Sequence, residues 1–198
     1  VSSEVSTDVA SSGTHSLKVD NDFPGNVWTA ALVDKEKDHD FSQYDTISAD
    51  VYIPRNAPGD LLQARLILTV GDGWLFTEMK NPVPLERGQW TTVTAKLDHA
   101  EDPNTSMWKG RKEKQLYLHV NKIKKIAVRV EYNAAPPTRI GPRYQGPFYV
   151  DNVVVKPGPG NFPAPPAVNP YTQPATAAAA ASPAPAAAPA VTAAGEPA

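Results

Sequence analysis

Apolar and polar residues alternate with a period of two along much of the chain. Between positions 46 and 53 every second residue is apolar, and the same alternation returns between 92 and 97. Positions 65–70, 123–132 and 148–155 carry further alternating or continuous apolar runs. Because the side chains of a β-strand point alternately to its two faces, this pattern predicts a series of strands with one face in a core.

Proline and glycine occupy the segments between these runs. They mark turns at 54–59, 71–73, 87–88 and 134–146. Helical periodicity is weak throughout, and one short helical turn between 104 and 114 is the most that we expect. Short strands joined by such turns predict an all-β fold, an antiparallel β-sandwich of the jelly-roll type over residues 1–156.

Residues 157–198 differ in composition from the rest of the chain. About half of the 21 prolines lie there, most of the other residues are alanine, and Glu196 carries the only charge. Proline interrupts helices, and Phe162 and Tyr171 are the only large aromatic residues, so the segment lacks the apolar surface that a core requires. We predict an irregular Pro/Ala-rich tail or linker rather than a second domain.

The charge and the cysteine count argue against several classes of function. The 19 basic and 21 acidic side chains give a formal charge of −2 at pH 7, which disfavours a nucleic-acid partner held by a basic face. No apolar run approaches the roughly 20 residues that span a bilayer, and Val1 opens into polar sequence, so we expect neither a membrane segment nor a signal peptide. Without cysteine there is no disulfide, zinc–thiolate site or thiol nucleophile.

Four short motifs follow one another along residues 1–156. Positions 12–19 read SGTHSLKV, 40–52 read DFSQYDTISADVY, 88–93 read GQWTTV and 148–153 read FYVDNV. In this order they resemble strands of secreted carbohydrate-binding modules, which have a β-sandwich of the galactose-binding-like jelly-roll type. The resemblance implies that a polysaccharide or glycan chain binds, without catalysis, in a shallow cleft on one sheet. It also implies a secreted protein in which a Pro-rich linker joins the module to a glycosidase or a cell-surface domain.

A glycan site needs flat aromatic rings for the apolar faces of the sugars and planar polar groups for their hydroxyls. If the segment that begins at Trp74 is a strand, Trp74, Phe76 and Glu78 share one face. Further along the chain, Arg129 and Glu131 share the polar face of another predicted strand. We therefore predict that Trp74 stacks on a sugar and that Arg129 and Glu131 orient hydroxyl groups, with Glu78 beside them. An ordinary ion pair between Arg129 and Glu131 is the alternative.

Three more residues are candidates for the same ligand. Arg65 lies on the polar side of its predicted strand, and Trp28 and the loop residue Tyr144 add aromatic rings. A structural role, such as a place in the core for Trp28, is the alternative for each. Trp90 is expected in the core, because it falls at a buried strand position of the family that the chain resembles. For Trp108 a stacking role and a role as a hydrophobic plug remain open.

The resemblance also implies a structural calcium ion. Asp151 lies in the motif whose aspartate often ligates calcium in such modules, and Glu4 is a possible second carboxylate from the N-terminal segment. A hydrogen bond at the end of a strand is the alternative for Asp151. The acidic clusters 20–22 and 34–40 lack the spacing and the glycine of an EF-hand, so we predict solvated loops there.

Sequence motifs of catalysis are missing. The four histidines lack the HExxH spacing of zinc peptidases, and there is no GxSxG nucleophile elbow. Glu78 and Glu131 leave a polysaccharide lyase or glycoside hydrolase open as a third hypothesis, since hydrolysis needs two carboxyl groups about 5–10 Å apart. We predict a non-catalytic binding module.

The principal alternative to a binding module is a structural role. A subunit of an extracellular fibre or surface assembly would use the same sandwich as a building block. Its Pro/Ala-rich tail would then lie along a neighbouring subunit, and polymers would require residues 157–198. A linker predicts a monomer instead.

Overall fold

A computed structural model describes residues 1–97, 106–110 and 120–158, and it confirms the all-β fold. One short 3-10 turn, Gly59–Leu61, accompanies the strands of the described residues. The strands are Ser2–Ser6 (β1), Ser16–Phe23 (β2), Thr29–His39 (β3), Tyr44–Tyr52 (β4), Leu62–Val70 (β5), Leu75–Met79 (β6), Val83–Pro84 (β7), Trp90–Lys96 (β8), Trp108–Gly110 (β9), Ile123–Tyr132 (β10) and Tyr144–Pro157 (β11). Within the same residues we find no helix with the length and apolarity of a membrane span.

The strands form two antiparallel sheets that enclose the core as a sandwich. One sheet has the order β1-β2-β11-β4-β8, and the other has the order β3-β10-β5-β6-β9 with β7 beside β5. Neighbouring strands in each sheet are mostly distant in sequence, so the pairing is long-range. The chain thus crosses repeatedly between the two sheets, as the predicted jelly-roll sandwich requires.

The core forms because the alternating residues turn their apolar side chains to the space between the sheets. In β4 Ile47, Ala49 and Val51 are fully buried, and in β10 Val130 and Tyr132 are too. The residues between them therefore point away from the core, to the outer face of each sheet. On the six-stranded sheet this outer face is where most of the predicted ligand-binding residues lie.

Both acidic clusters lie in strands, and the prediction of solvated loops was wrong. Residues 20–22 belong to β2, which pairs with β1 and β11. Positions 34–39 belong to β3, the edge of the six-stranded sheet, where Lys125 Nζ lies 2.6 Å from Asp34 Oδ2 and Lys124 Nζ lies 2.9 Å from Asp38 Oδ2. Charged side chains suit an edge strand, because they discourage pairing with another chain.

Two tryptophans lie outside the predicted ligand face. Trp90 was expected in the core, but it lies half-buried on the outer face of the five-stranded sheet, with its ring centroid 5.4 Å from that of Tyr52. Trp108 is buried, and its Nε1 donates a hydrogen bond to the carbonyl oxygen of Lys96 at 2.7 Å, so it acts as a plug. It also opens strand β9 where a short helical turn was expected.

The predicted tail lies almost wholly outside the described residues. Strand β11 ends at Pro157, and Gly158 is the last residue described. His99 and His119 also lie outside them. The linker and the assembly strap therefore both stay predictions.

Candidate functional site

Two half-exposed tryptophans stand toward opposite edges of the outer face of the six-stranded sheet. Trp28 immediately precedes β3, Trp74 immediately precedes β6, and each is 50% exposed. Strands β10 and β5 lie between them. The strand register places Trp28 at the Tyr132–Leu62 end of these two strands and Trp74 at the Ile123–Val70 end, so the tryptophans lie at diagonally opposite ends of the face. The exposure of Trp28 excludes the core position that was its alternative.

Trp74 has an unusual backbone conformation in the loop that joins β5 to β6. Its φ is 50°, in the left-handed region, and its amide donates to the carbonyl oxygen of Gly71 at 3.2 Å. A bulky residue with positive φ is uncommon, and the conformation costs about 1–2 kcal/mol. The turn places the indole in a cleft that it shares with Phe76, which is 41% exposed, and with Glu78. The predicted grouping of these three residues is therefore present, although Trp74 precedes the strand.

Arg129 and Glu131 share the outer face of β10 and form an ion pair. Arg129 Nε donates to Glu131 Oε1 at 2.7 Å, and Arg129 Nη2 lies 2.6 Å from the same oxygen. The Cζ atom of Arg129 lies 5.8 Å from the centroid of the Trp28 ring, in cation–π range. The ion pair thus connects the charged centre of the face to one of its tryptophans.

Arg65 reaches the same carboxylate from the neighbouring strand β5. It is the register partner of Arg129, and its Nη2 donates to Glu131 Oε2 at 3.1 Å. Its Nε lies 2.6 Å from Glu131 Oε1, at an angle that makes the contact electrostatic rather than a hydrogen bond. Arg65 Nη1 donates to the carbonyl oxygen of Met79 at 2.8 Å. Since Glu131 is only 1% exposed, a ligand does not reach it in this arrangement.

Glu78 and Lys109 extend the charged cluster toward Trp74. Arg129 Nη2 donates to Glu78 Oε2 at 2.5 Å, and Lys109 Nζ lies 3.1 Å from Glu78 Oε1. Glu78, Lys109 and Trp74 line one open cleft of about 700 Å³. The sequence did not indicate Lys109, because strand β9 has only three residues and shows no periodic pattern.

The electrostatics of the cluster keep Glu131 ionised. Burial alone would raise the pKa of Glu131, but hydrogen bonds from Arg129 and Arg65 outweigh burial and hold the pKa below its ordinary value. A carboxylate held in this way accepts hydrogen bonds and fixes the two guanidinium groups. It does not supply a proton near neutral pH.

The structure brings six predicted site residues together on one face. They are Trp28, Arg65, Trp74, Glu78, Arg129 and Glu131. Aromatic platforms beside fixed planar donors can hold a ring that has apolar faces and hydroxyl edges. Contact with a ligand stays a prediction for the other five, whereas Glu131 lies below the surface and positions Arg65 and Arg129.

Tyr144 does not belong to this face, and its prediction as an exposed loop residue was wrong. It is the first residue of β11 in the five-stranded sheet, and it is buried, with its ring stacked on that of Phe23. Its hydroxyl donates to the carbonyl oxygen of Pro147 at 2.7 Å. Burial, with smaller contributions from Tyr149 and Asp20, raises the pKa of Tyr144 to about 12.

A change of Tyr144 to Phe should make stability depend less on pH above 10. Near pH 8 the variant should be less stable by about 1 kcal/mol, because the hydrogen bond to Pro147 is lost. In the unfolded chain the phenol ionises near 10, but in the folded protein it ionises only near the raised pKa of about 12. The wild type therefore loses stability between these values, and the gap to the variant should close or reverse. Urea unfolding between pH 8 and 12 checks this; a gap that stays constant would contradict it.

The Asp151 carboxylate accepts hydrogen bonds from backbone amides. Its Oδ2 accepts from the amides of Ser11 and Ser12 at 2.8 and 2.9 Å, and its Oδ1 accepts from the amide of Asn152 at 2.7 Å. A calcium ligand needs neighbouring oxygens rather than N–H donors. This environment matches the alternative of a hydrogen-bonded strand end.

Glu4 has a different partner from the one that a calcium site requires. It lies on β1, where its Oε1 is 3.7 Å from Lys18 Nζ. Across residues 1–97, 106–110 and 120–158 no group of three or more His, Asp or Glu side chains could hold a metal ion. As placed, Glu4 and Asp151 do not fit a calcium site, and calcium binding stays a prediction.

Several solved structures resemble this fold. An exo-β-agarase structure has a TM-score of 0.50 and 17% identity, covering 81% of this chain and 22% of that one. The carbohydrate-binding module 27-1 of Caldicellulosiruptor saccharolyticus, solved in complex with mannohexaose, has a TM-score of 0.48 and 16% identity. The match covers 79% of this chain and 83% of that one. A third structure, described in terms of the promiscuous specificity of carbohydrate-binding modules from the β-sandwich superfamily, has a TM-score of 0.48 and 14% identity. The match covers 78% of this chain. This chain spans about half (52%) of that structure's length.

Comparison with sequence families is more direct. No curated protein sequence matches the chain. The family described as "Mannanase, galactose-binding domain-like" matches residues 2–107, which include Trp28, Arg65, Trp74 and Glu78. This match spans more than half of the chain and confirms the resemblance to galactose-binding-like modules. The chain therefore belongs to the galactose-binding-like domain family of mannanases.

Proposed function

We propose that this domain binds a linear polysaccharide, without cleaving it, along the outer face of the six-stranded sheet. The observation that supports this most is the pair of half-exposed tryptophans, Trp28 and Trp74, on either side of a preformed charged cluster. Exposed indole rings offer flat apolar surfaces on which the C–H faces of sugars can stack. A chain of sugar rings laid diagonally over the strands passes the charged cluster and meets both platforms.

A β-mannan is the first candidate ligand. The family description names mannanases, and one structural neighbour was solved with mannohexaose. In this proposal the domain holds an attached polysaccharide-active enzyme near its substrate outside the cell, which raises the enzyme's local concentration there. The Pro/Ala-rich segment would be the link.

The two carboxylates of the face are poorly suited to catalysis. A glycosidase needs one carboxylic acid that keeps its proton, with a raised pKa. Glu131 has a lowered pKa and lies below the surface, and Glu78 is in contact with three cationic side chains. The arrangement favours binding over hydrolysis.

Calorimetric titration of the full chain with β-1,4-mannohexaose, xylohexaose and cellohexaose tests the proposal. We expect a dissociation constant in the micromolar to millimolar range, because sugars exchange hydrogen bonds with water for hydrogen bonds with protein at small net gain. Trp28→Ala should weaken binding about tenfold, since it removes one platform. Trp90→Ala is the matched control, because Trp90 lies on the other sheet.

Three results would count against the proposal. The first is that all three hexasaccharides fail to bind, and the second is that Trp90→Ala weakens binding as much as Trp28→Ala does. The third is the appearance of shorter sugars during prolonged incubation with mannan, which would show catalysis.

A further inference from the structure

The charged cluster uses its acceptors internally and leaves N–H groups of Arg129 and Lys109 without an acceptor among the described residues. Each carboxylate oxygen of Glu78 and Glu131 already has a nitrogen donor within 3.1 Å. The donors come from Arg65, Arg129, Lys109 and Gln63. These carboxylates are therefore largely occupied before a ligand arrives.

Arg129 keeps one nitrogen for a ligand. Its Nε and Nη2 are bound to Glu131 and Glu78, while Nη1 has no acceptor in the described part of the chain. The contacts to two carboxylates and the cation–π contact with Trp28 hold the guanidinium group in place. Nη1 thus presents two N–H groups in a set direction beside an aromatic platform.

Lys109 is the second donor, and it is the more exposed of the two. Its side chain is 49% exposed, and its ammonium group contacts Glu78 Oε1 as its one ion pair among the described residues. An ammonium group has three N–H donors, so at least two of them have no acceptor among residues 1–97, 106–110 and 120–158. Lys109 and Trp74 line the same cleft.

We infer that the outer face of the six-stranded sheet selects glycans that carry acceptor-only oxygens, namely ester carbonyl or carboxylate substituents, within reach of Arg129 beside Trp28 or of Lys109 in the Trp74 cleft. The inference rests on the proposed function and names the ligand chemistry of the same site. A sugar hydroxyl that accepts from Arg129 or Lys109 must still send its own proton to an acceptor, and the carboxylates nearby are occupied. A carbonyl or carboxylate oxygen has no proton to place, so it matches a donor-rich surface better.

Three oligosaccharides that differ only in substituents test the inference in calorimetric titrations of the full chain. They are β-1,4-mannohexaose, its O-acetylated form and the β-1,4-mannuronate hexamer, which has a carboxylate in place of each primary alcohol. At least one substituted form should bind about three- to tenfold more tightly than the plain hexaose, as one additional hydrogen bond provides. A gain with the mannuronate should shrink as salt is added, whereas a gain with the acetyl ester should not. The two substituent chemistries are thereby distinguished.

Variants assign the preference to the two donors. Lys109→Met should reduce the gain of the substituted form by at least half, and Arg129→Met should do the same if it folds. Lys37→Met, an exposed lysine of β3 away from the cleft, is the control and should leave the gain unchanged.

The outcomes separate this inference from the proposed function. If the plain hexaose binds at least as tightly as both substituted forms, the inference is overturned and the binding function stands. The inference is likewise overturned, and the binding function stands, if Lys109→Met keeps the full preference for the substituted oligosaccharide. If none of the three oligosaccharides binds, the proposed mannan-binding function fails, and the inference fails with it.

Discussion

Replacing Glu131 by Gln should lower the free energy of unfolding by about 3 kcal/mol. The change keeps the volume of the side chain but removes the charge that faces Arg65 and Arg129. Removing one partner of a buried ionic group is costly, about 3–5 kcal/mol, because the remaining charges lose their compensation without regaining water. Urea unfolding at pH 7 measures the loss. The exposed Glu86 offers a matched control, since Glu86→Gln should change stability by less than about 0.5 kcal/mol.

The free energies of unfolding of the wild type and Glu131→Gln should converge in acid. The pKa of Glu131 is lowered in the folded state, so its contribution is complete above the unfolded pKa, near 4.5, and is lost as pH falls through the folded pKa. The gap in stability between the wild type and Glu131→Gln should therefore narrow below about pH 4.5. A gap that is small at pH 7, or one that keeps its full size in strong acid, would contradict a buried ionised carboxylate.

The sandwich could be predicted from the sequence because its two layers impose a period of two on each buried strand. Strand β10 shows this most clearly, since residues 123–132 were expected to form a strand and Ile123–Tyr132 does so. Its inward residues are apolar, and its outward residues include Arg129 and Glu131. The alternation therefore predicts both the strand and the shared outer face of Arg129 and Glu131, the central part of the site.

Prediction from the sequence fails where pairing with distant strands decides the local structure. Residues 34–39 look like a charged loop, yet β10 supplies their hydrogen-bonding partners and makes them an edge strand. Tyr144 follows a proline-rich turn and resembles an exposed loop residue, but its register opposite Phe23 takes it into the core. Lys109 joins the cleft only because β9 pairs with β6. Such long-range pairing leaves no local pattern in the sequence.

Replacing Trp74 by Gly or by Ala should abolish most of the binding but affect stability differently. Either change removes an aromatic platform, and loss of such an anchor costs more than about tenfold in affinity. Trp74 has a φ of 50°, which glycine adopts freely and alanine does not. The Gly variant should therefore be more stable than the Ala variant by about 1 kcal/mol, although both bind equally weakly.

Calorimetric titration with mannohexaose and urea unfolding, on the same preparations, measure the two effects. Phe76 offers a useful comparison, because it lines the same cleft from regular strand β6. There Phe76→Gly should be no more stable than Phe76→Ala. Equal stability of Trp74→Gly and Trp74→Ala would mean that the loop relaxes out of the left-handed region. Full binding in either variant would remove Trp74 from the site. The expected result, lost affinity with a more stable glycine variant, would show that the strained turn is kept because it presents the indole to the ligand.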